Sequence, residues 1–176
     1  ATRRARDAAA DTMPLPATAR FDALVRRHVE ERARRSPEWA TSVGLHDWDP
    51  LLDDRRATAF AADSAAWAAL GDSLAAIDTV ALDERRRIDW LLLRGAVRGR
   101  VNDAGAREWA RRPASYIPFN AIYSLAVGDV PAARTRFTNL TIRLEGWRTA
   151  MAQGRAQLDP ARVPRIWVEN DIRSAE

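Results

Sequence analysis

With 176 residues, 47% of them hydrophobic and 30% charged, the chain has the make-up of one folded domain and not of a disordered segment. It contains no Cys, which excludes disulfides, thiolate chemistry and Cys-based zinc sites. The 28 basic residues, all Arg, against 24 acidic ones leave a net charge of +4, too small an excess to specify a nucleic-acid partner, and no run approaches the roughly 18 consecutive apolar residues of a membrane span.

Ala dominates the apolar set, and the 8 Gly and 9 Pro are sparse and clustered, so long helices are the expectation. Residues 1–17 alternate Arg, Ala and Asp, finish with Pro14 and Pro16, and read as a flexible arm; residues 18–176 read as one helical lobe. Ala1 in place of Met, followed by Arg3, Arg4 and Arg6, resembles the flank left by a removed leader or a trimmed clone. Phe21, Leu24, Val25, His28 and Val29 then share one stripe of a first helix. Ser36-Pro37-Glu38 signals a second, short helix: Ser36 is placed to cap the free amides, and Pro37 lacks an N–H that would be unpaired there anyway. Gly44 suits the left-handed residue that ends it.

Residues 45–54 form an acidic loop, and a long helix is predicted from Arg55 to Ile77 with Phe60, Trp67, Leu70, Leu74 and Ile77 on its buried face. Asp83 reads as the N-cap of the next helix, whose buried side is predicted to hold Ile88, Leu91, Leu92 and Val101. Pro113 and Pro118 bracket a break around Tyr116, and residues 120–127 read as one or two short turns. Asp129 and Pro131 start another long helix, predicted to bury Phe137, Leu140, Leu144, Trp147 and Met151. Pro160 and Pro164 mark a loop. Ile166, Trp167, Val168 and Ile172 then open an amphipathic run that reads as unfinished, as if the chain continued. The fold class is therefore all-α: a bundle of three to four long helices, with short helices and Pro-containing loops between them.

Chemistry is sparse. Of the two His, His28 lies on an apolar stripe and reads as a half-buried packing residue with one nitrogen satisfied. His46 sits near Asp47, Asp49 and Asp53, but the spacing matches no zinc or calcium pattern, and such acids usually make turns and caps. No His-Glu-x-x-His pair, Gly-rich phosphate loop or Gly-x-Ser-x-Gly elbow is present. Glu30 with Glu31, the run Arg85–Arg87 and the pair Arg111-Arg112 read as solvated faces, and Trp67, Trp90 and Trp147 as packing residues. No catalytic and no metal-binding residue is assigned.

Four stretches in order carry a resemblance. They are residues 36–46 (Ser-Pro-Glu-Trp-Ala-Thr-Ser-Val-Gly-Leu-His) followed by Asp49, Leu52 and Asp53; Leu82-Asp83 followed by Ile88-Asp89 and residues 91–94; residues 109–116 (Trp-Ala-Arg-Arg-Pro-Ala-Ser-Tyr); and residues 163–169 (Val-Pro-Arg-Ile-Trp-Val-Glu). Together they resemble the N-terminal part of the bacterial domain of unknown function 885 family, over nearly all of residues 20–172. The family is helical, longer than this chain, and includes secreted proteins and lipoproteins.

The resemblance implies similarity to α-helical metallopeptidases. In the family a His-Glu pair followed by a Pro-Gly-His-His run lies in the C-terminal half, and nothing here matches it. It implies an N-terminal helical lobe that is inactive alone, lines one wall of a substrate cleft and partners the C-terminal catalytic half. Zinc would belong to the full-length parent, with none in this chain. The implied substrate is peptide-like, and a periplasmic or secreted location is favoured. Tyr116, Asn120, Trp167 and Glu169 are the candidate cleft-wall residues. The alternative is an independent Arg-rich helical module, binding or structural, for an acidic partner; nucleic acid is not the expected partner.

Overall fold

A computed structural model of the chain describes residues 15–117, 119–128 and 132–175. Regular structure among them is entirely helical, with seven α-helices. These are α1 (Ala17–Arg35), α2 (Pro37–Ser42), α3 (Ala57–Ala75), α4 (Glu84–Gly105), α5 (Phe119–Val127), α6 (Ala133–Gln157) and α7 (Arg165–Ala175). Short 3₁₀ turns occupy His46–Trp48, Glu108–Ala110 and Pro113–Tyr116. Most of the predicted arm, and the predicted roles of Pro118, Asp129 and Pro131, lie outside the described residues.

The first packing unit joins α1, α3 and α4 around Phe21, Leu24, Trp67, Leu70, Leu74, Leu82 and Val97. Phe21, Leu24 and His28 recur at three- and four-residue intervals, which puts them on the inner face of α1. Asp83 caps α4 as predicted, its side chain accepting from the Arg86 amide at 2.9 Å. Arg86 also grips Asp22 of α1 with two bonds, at 2.9 and 2.7 Å, fixing the start of α4 against α1. Trp90 Nε1 donates to the Leu74 carbonyl at 3.0 Å, and Gly71 lets α3 approach Val97 closely, since a Cβ there would sit 3.1 Å from Val97 Cγ1. The third helix starts at Ala57, two residues later than expected, because Asp54 turns the chain by accepting from the Arg56 amide. Ile77 falls beyond its end but still packs against the core.

One face assignment is overturned in this unit. Ile88, Leu91, Leu92 and Val101 are 42–68% exposed, and the inner stripe of α4 is instead Trp90, Leu93 and Val97. The helix carries apolar residues on two sides, and the Trp90–Leu74 bond and the close approach of Gly71 to Val97 hold this side against α3.

The second unit joins α2, α5 and α6 with the His46–Trp48 and Pro113–Tyr116 turns, while the Glu108–Ala110 turn packs on α4. Helix α2 starts by a route the sequence reading missed. Ser36 makes no capping bond; its hydroxyl donates to Asp53 at 2.9 Å, and Asp53 accepts the Glu38 amide at 3.1 Å. Glu38 returns the contact by accepting the Asp53 amide at 3.0 Å, a reciprocal cap between residues 15 apart. Gly44 ends α2 as expected: at φ +84° it allows the Leu45 amide to reach the Ala40 carbonyl and its own amide the Thr41 carbonyl, the two bonds of a Schellman close.

Helix α6 is the second correction. Phe137, Leu144 and Met151 are 44–61% exposed and Leu140 and Trp147 half-buried, while Asn139, Arg143, Ala150 and Gly154 face inward. Small residues win that stripe because neighbours come close: a Cβ on Gly154 would overlap the Tyr116 ring. Arg143, fully buried, bonds the Leu51 carbonyl (3.0 Å), the Ala121 carbonyl (2.5 Å) and the Thr41 hydroxyl (2.6 Å). It ties the loop, α5 and α2 to α6. Residues 119–127 form one continuous helix in place of the predicted short turns. In α7, Ile166 and Ile172 are more than half exposed.

Candidate ligand-binding cleft

A cleft of about 350 Å³ opens between α1, α3, α4 and the Glu108–Ala110 turn. Its apolar walls are Trp67 and the stacked pair Phe60–Trp109, whose ring centroids lie 5.1 Å apart. The guanidinium of Arg32 lies 3.8 Å above the Trp39 ring and 5.3 Å from that of Trp67, and Arg100 reaches the Trp67 ring from α4 at 5.7 Å. Desolvation, and then repulsion from Arg100, bring the Arg32 pKa down to about 10.

The floor of the cleft is ionic. Arg55, 5% exposed, holds Glu38 with a forked pair of bonds at 3.1 and 3.3 Å, and its own amide donates to Gln153. Glu38 is pushed above the ordinary carboxylate range by burial and then by Asp53, against the pull of Arg55. Burial likewise raises Asp53, against its bonds to Glu38 and Ser36. Arg55 Nε is buried with no hydrogen-bond partner among the described residues.

The acidic loop has other work. His46 Nδ1 lies 3.0 Å from Asp49 Oδ2, and Asp49, fully buried, accepts the Thr41 hydroxyl at 2.7 Å. Among the described residues no group of three or more His, Cys, Asp or Glu is arranged to hold a metal ion. His28 sits edge-on to Trp67 at 4.8 Å, and its pKa is lowered by burial, then by Arg32 and Arg35.

The four cleft-wall residues named from sequence do not converge. Tyr116 is buried, donates its hydroxyl to the Trp109 carbonyl and packs edge-on to Phe60; burial raises its pKa to about 12. Asn120 is exposed on α5. Trp167 is half-buried on α7 with Arg111 and Arg112 over its ring, at 5.8 and 5.4 Å. Glu169 pairs with Arg165 at 2.6 Å. Of the four, Trp167 lines a separate depression that shares Arg112 and Ser115 with the main cleft.

The Arg residues of the main cleft were not singled out in the sequence, though a signal was there. Arg32 continues the inner stripe of α1 four residues past His28, and Arg100 continues that of α4 three residues past Val97. A cation on an otherwise apolar stripe marks a place where the core opens.

A family model for bacterial proteins of unknown function, DUF885, matches residues 37–176. A solved structure described as "a putative lipoprotein of unknown function from Shewanella oneidensis" superposes with a TM-score of 0.71 at 19% identity, covering 79% of this chain. The chain spans 26% of the length of that structure. No curated protein matches.

Proposed function

Because the chain belongs to the DUF885 family of bacterial proteins of unknown function, we propose that it forms the N-terminal helical lobe of a larger, metal-dependent, peptidase-like hydrolase. The observation that carries this reading is the orientation of α4 and α6. Both bury small, polar or few apolar residues and turn Leu91, Leu92, Phe137, Leu144 and Met151 outward. We read these large apolar side chains, exposed on two helices, as belonging to the faces that dock against further chain. The 26% coverage of the similar structure fits a lobe that packs against further chain.

Metal chemistry, on this reading, belongs to residues outside the chain. Among the described residues His46 and Asp49 supply a pair of donors, engaged with each other and with Thr41. The peptide-like substrate, the cleft-wall role of Tyr116, Asn120, Trp167 and Glu169, and a periplasmic or secreted location rest on family likeness. Among the described residues no helix is long and apolar enough to cross a membrane.

The test compares the 176-residue chain with the protein encoded by its full reading frame. The chain alone is expected to bind no stoichiometric zinc, cleave no peptide and bind a hydrophobic dye strongly. The full-length protein is expected to bind zinc, to cleave peptides and to bind less dye per chain. Zinc or peptidase activity in the chain alone, or neither in the full-length protein, refutes the proposal.

A further inference from the structure

We propose that the cleft between α1, α3 and α4 binds a small organic carboxylate carrying a flat apolar group, with Arg32 and Arg100 on the carboxylate and Trp67, Phe60 and Trp109 against the apolar body. The site stands on its own geometry and not on the hydrolase reading. A space of about 350 Å³ is at the lower end of the range in which small-molecule sites fall.

The argument turns on which charges in the cleft are already answered. Asp63 is engaged by Arg35 at 3.3 Å, Glu38 by Arg55 at 3.0 Å, and Glu108 by Arg111 at 3.2 Å and Arg112 at 3.6 Å. Asp53 caps α2, and Asp54 is held by Arg56. Asp103, exposed at the rim, makes no hydrogen bond with either guanidinium. Arg32, seated on the Trp39 ring and 5.3 Å from that of Trp67, and Arg100, 5.7 Å from the Trp67 ring, thus line the cleft from two helices with no hydrogen-bonded carboxylate among the described residues.

Two cations that repel each other across one cleft gain from an anion placed between them, and a guanidinium presents paired N–H groups that match a carboxylate's two oxygens. The aromatic walls then favour a planar or ring-bearing body next to that carboxylate, since a ring packs on their faces and edges. Arg55 adds an independent sign in the same lining: almost wholly buried, it keeps one donor, Nε–H, without a hydrogen-bond partner among the described residues. Buried donors are otherwise nearly always satisfied in folded proteins.

Two sources share this chemistry, a free aromatic acid and the C-terminal residue of a peptide. Calorimetric titration of the full chain with 3-phenylpropionate, N-acetyl-phenylalanine and N-acetyl-phenylalaninamide separates them. Saturable binding of either acid, with the uncharged amide at least tenfold weaker, is expected. Tighter binding of N-acetyl-phenylalanine assigns the site to a peptide terminus, and equal or tighter binding of phenylpropionate to a free acid. Arg32→Gln and Arg100→Gln should each weaken the better acid by about tenfold. Arg100 is exposed, so its variant keeps the fold and remains informative if Arg32→Gln unfolds, which circular dichroism would reveal. No saturable binding of either acid, equal affinity for the amide, or an unchanged affinity in Arg100→Gln overturns the proposal.

Discussion

Replacing Arg143 by Met is the sharpest probe of what holds the second packing unit together. The side chain is fully buried, so Met fills much of its volume while deleting every donor. The Leu51 carbonyl then loses the Arg143 Nε–H, and the Thr41 hydroxyl loses its 2.6 Å bond. Asp49, fully buried on the far side of Thr41, keeps the Thr41 hydroxyl and the His46 ring as neighbours but loses the attraction of the Arg143 charge. The Ala121 carbonyl suffers less, since the Ser124 hydroxyl also reaches it at 3.4 Å. Leaving one buried acceptor unpaired costs about 1–3 kcal/mol, and removing a cation from a buried ionic network costs about 3–5 kcal/mol. Taking the overlap, Arg143→Met should destabilise by about 3 kcal/mol, which in a chain of this size lowers Tm by roughly 6–12 °C. Arg143→Lys keeps the charge but cannot fork to three acceptors, and should fall between Met and wild type. Arg148→Met, exposed on the same helix, should stay within about 0.5 kcal/mol of wild type. Urea unfolding followed by circular dichroism reads all three. A loss below about 1 kcal/mol in Arg143→Met would show that the network contributes little and that the reasoning is wrong.

Two glycines of α6 should respond with opposite signs to Ala. Gly154→Ala drives a methyl into the Tyr116 ring and should destabilise by about 1–3 kcal/mol. Gly146→Ala meets only Leu52 Cδ1 at 3.5 Å, an ordinary contact, and should stabilise by about 0.5–1 kcal/mol; the same urea series decides, and equal signs refute the packing account. His28 gives a pH dependence. Burial and the neighbouring Arg32 and Arg35 hold its folded pKa below the ordinary imidazole value of about 6.5, so the unfolded chain binds the proton more readily. Stability from this group is intact above pH 6.5 and declines as pH falls below it. Arg32, Arg35, Asp63 and Glu31 set the field at the ring, so the comparison is made within that setting. The difference in Tm between wild type and His28→Phe should shift in favour of the variant from pH 7 to pH 5, and a pH-independent difference would refute the assignment.

The sequence spoke clearly where one residue type has one use. Gly44 at a helix end, Asp83 at a helix start and the Phe21–Leu24–His28 stripe each have a short-range cause, and all are found where expected. Expectation failed on α4 and α6 for a shared reason. Ranking side chains by hydrophobicity puts Leu92 and Phe137 inside, yet which stripe faces inward is set by distant partners: Gly71 admitting Val97, and Tyr116 demanding Gly154. Ser36 was misread in the same way, because its rival Asp53 lies 17 residues downstream. The cleft was hidden more deeply. Arg32 and Arg100 are ordinary members of an Arg-rich chain until two helices from different parts of the sequence bring them to one cleft.

The cap that Asp53 and Glu38 exchange has a consequence for how this region opens. Six residues are too few to hold a helical turn unaided, since nucleation alone is unfavourable by a factor of about a thousand. Residues 37–42 therefore borrow their order from a loop that must close first, and the loop in turn borrows the Glu38 carboxylate. Neither can fray singly. Their amide protons should exchange with solvent as one cooperative block, releasing the Arg55 guanidinium in the same event.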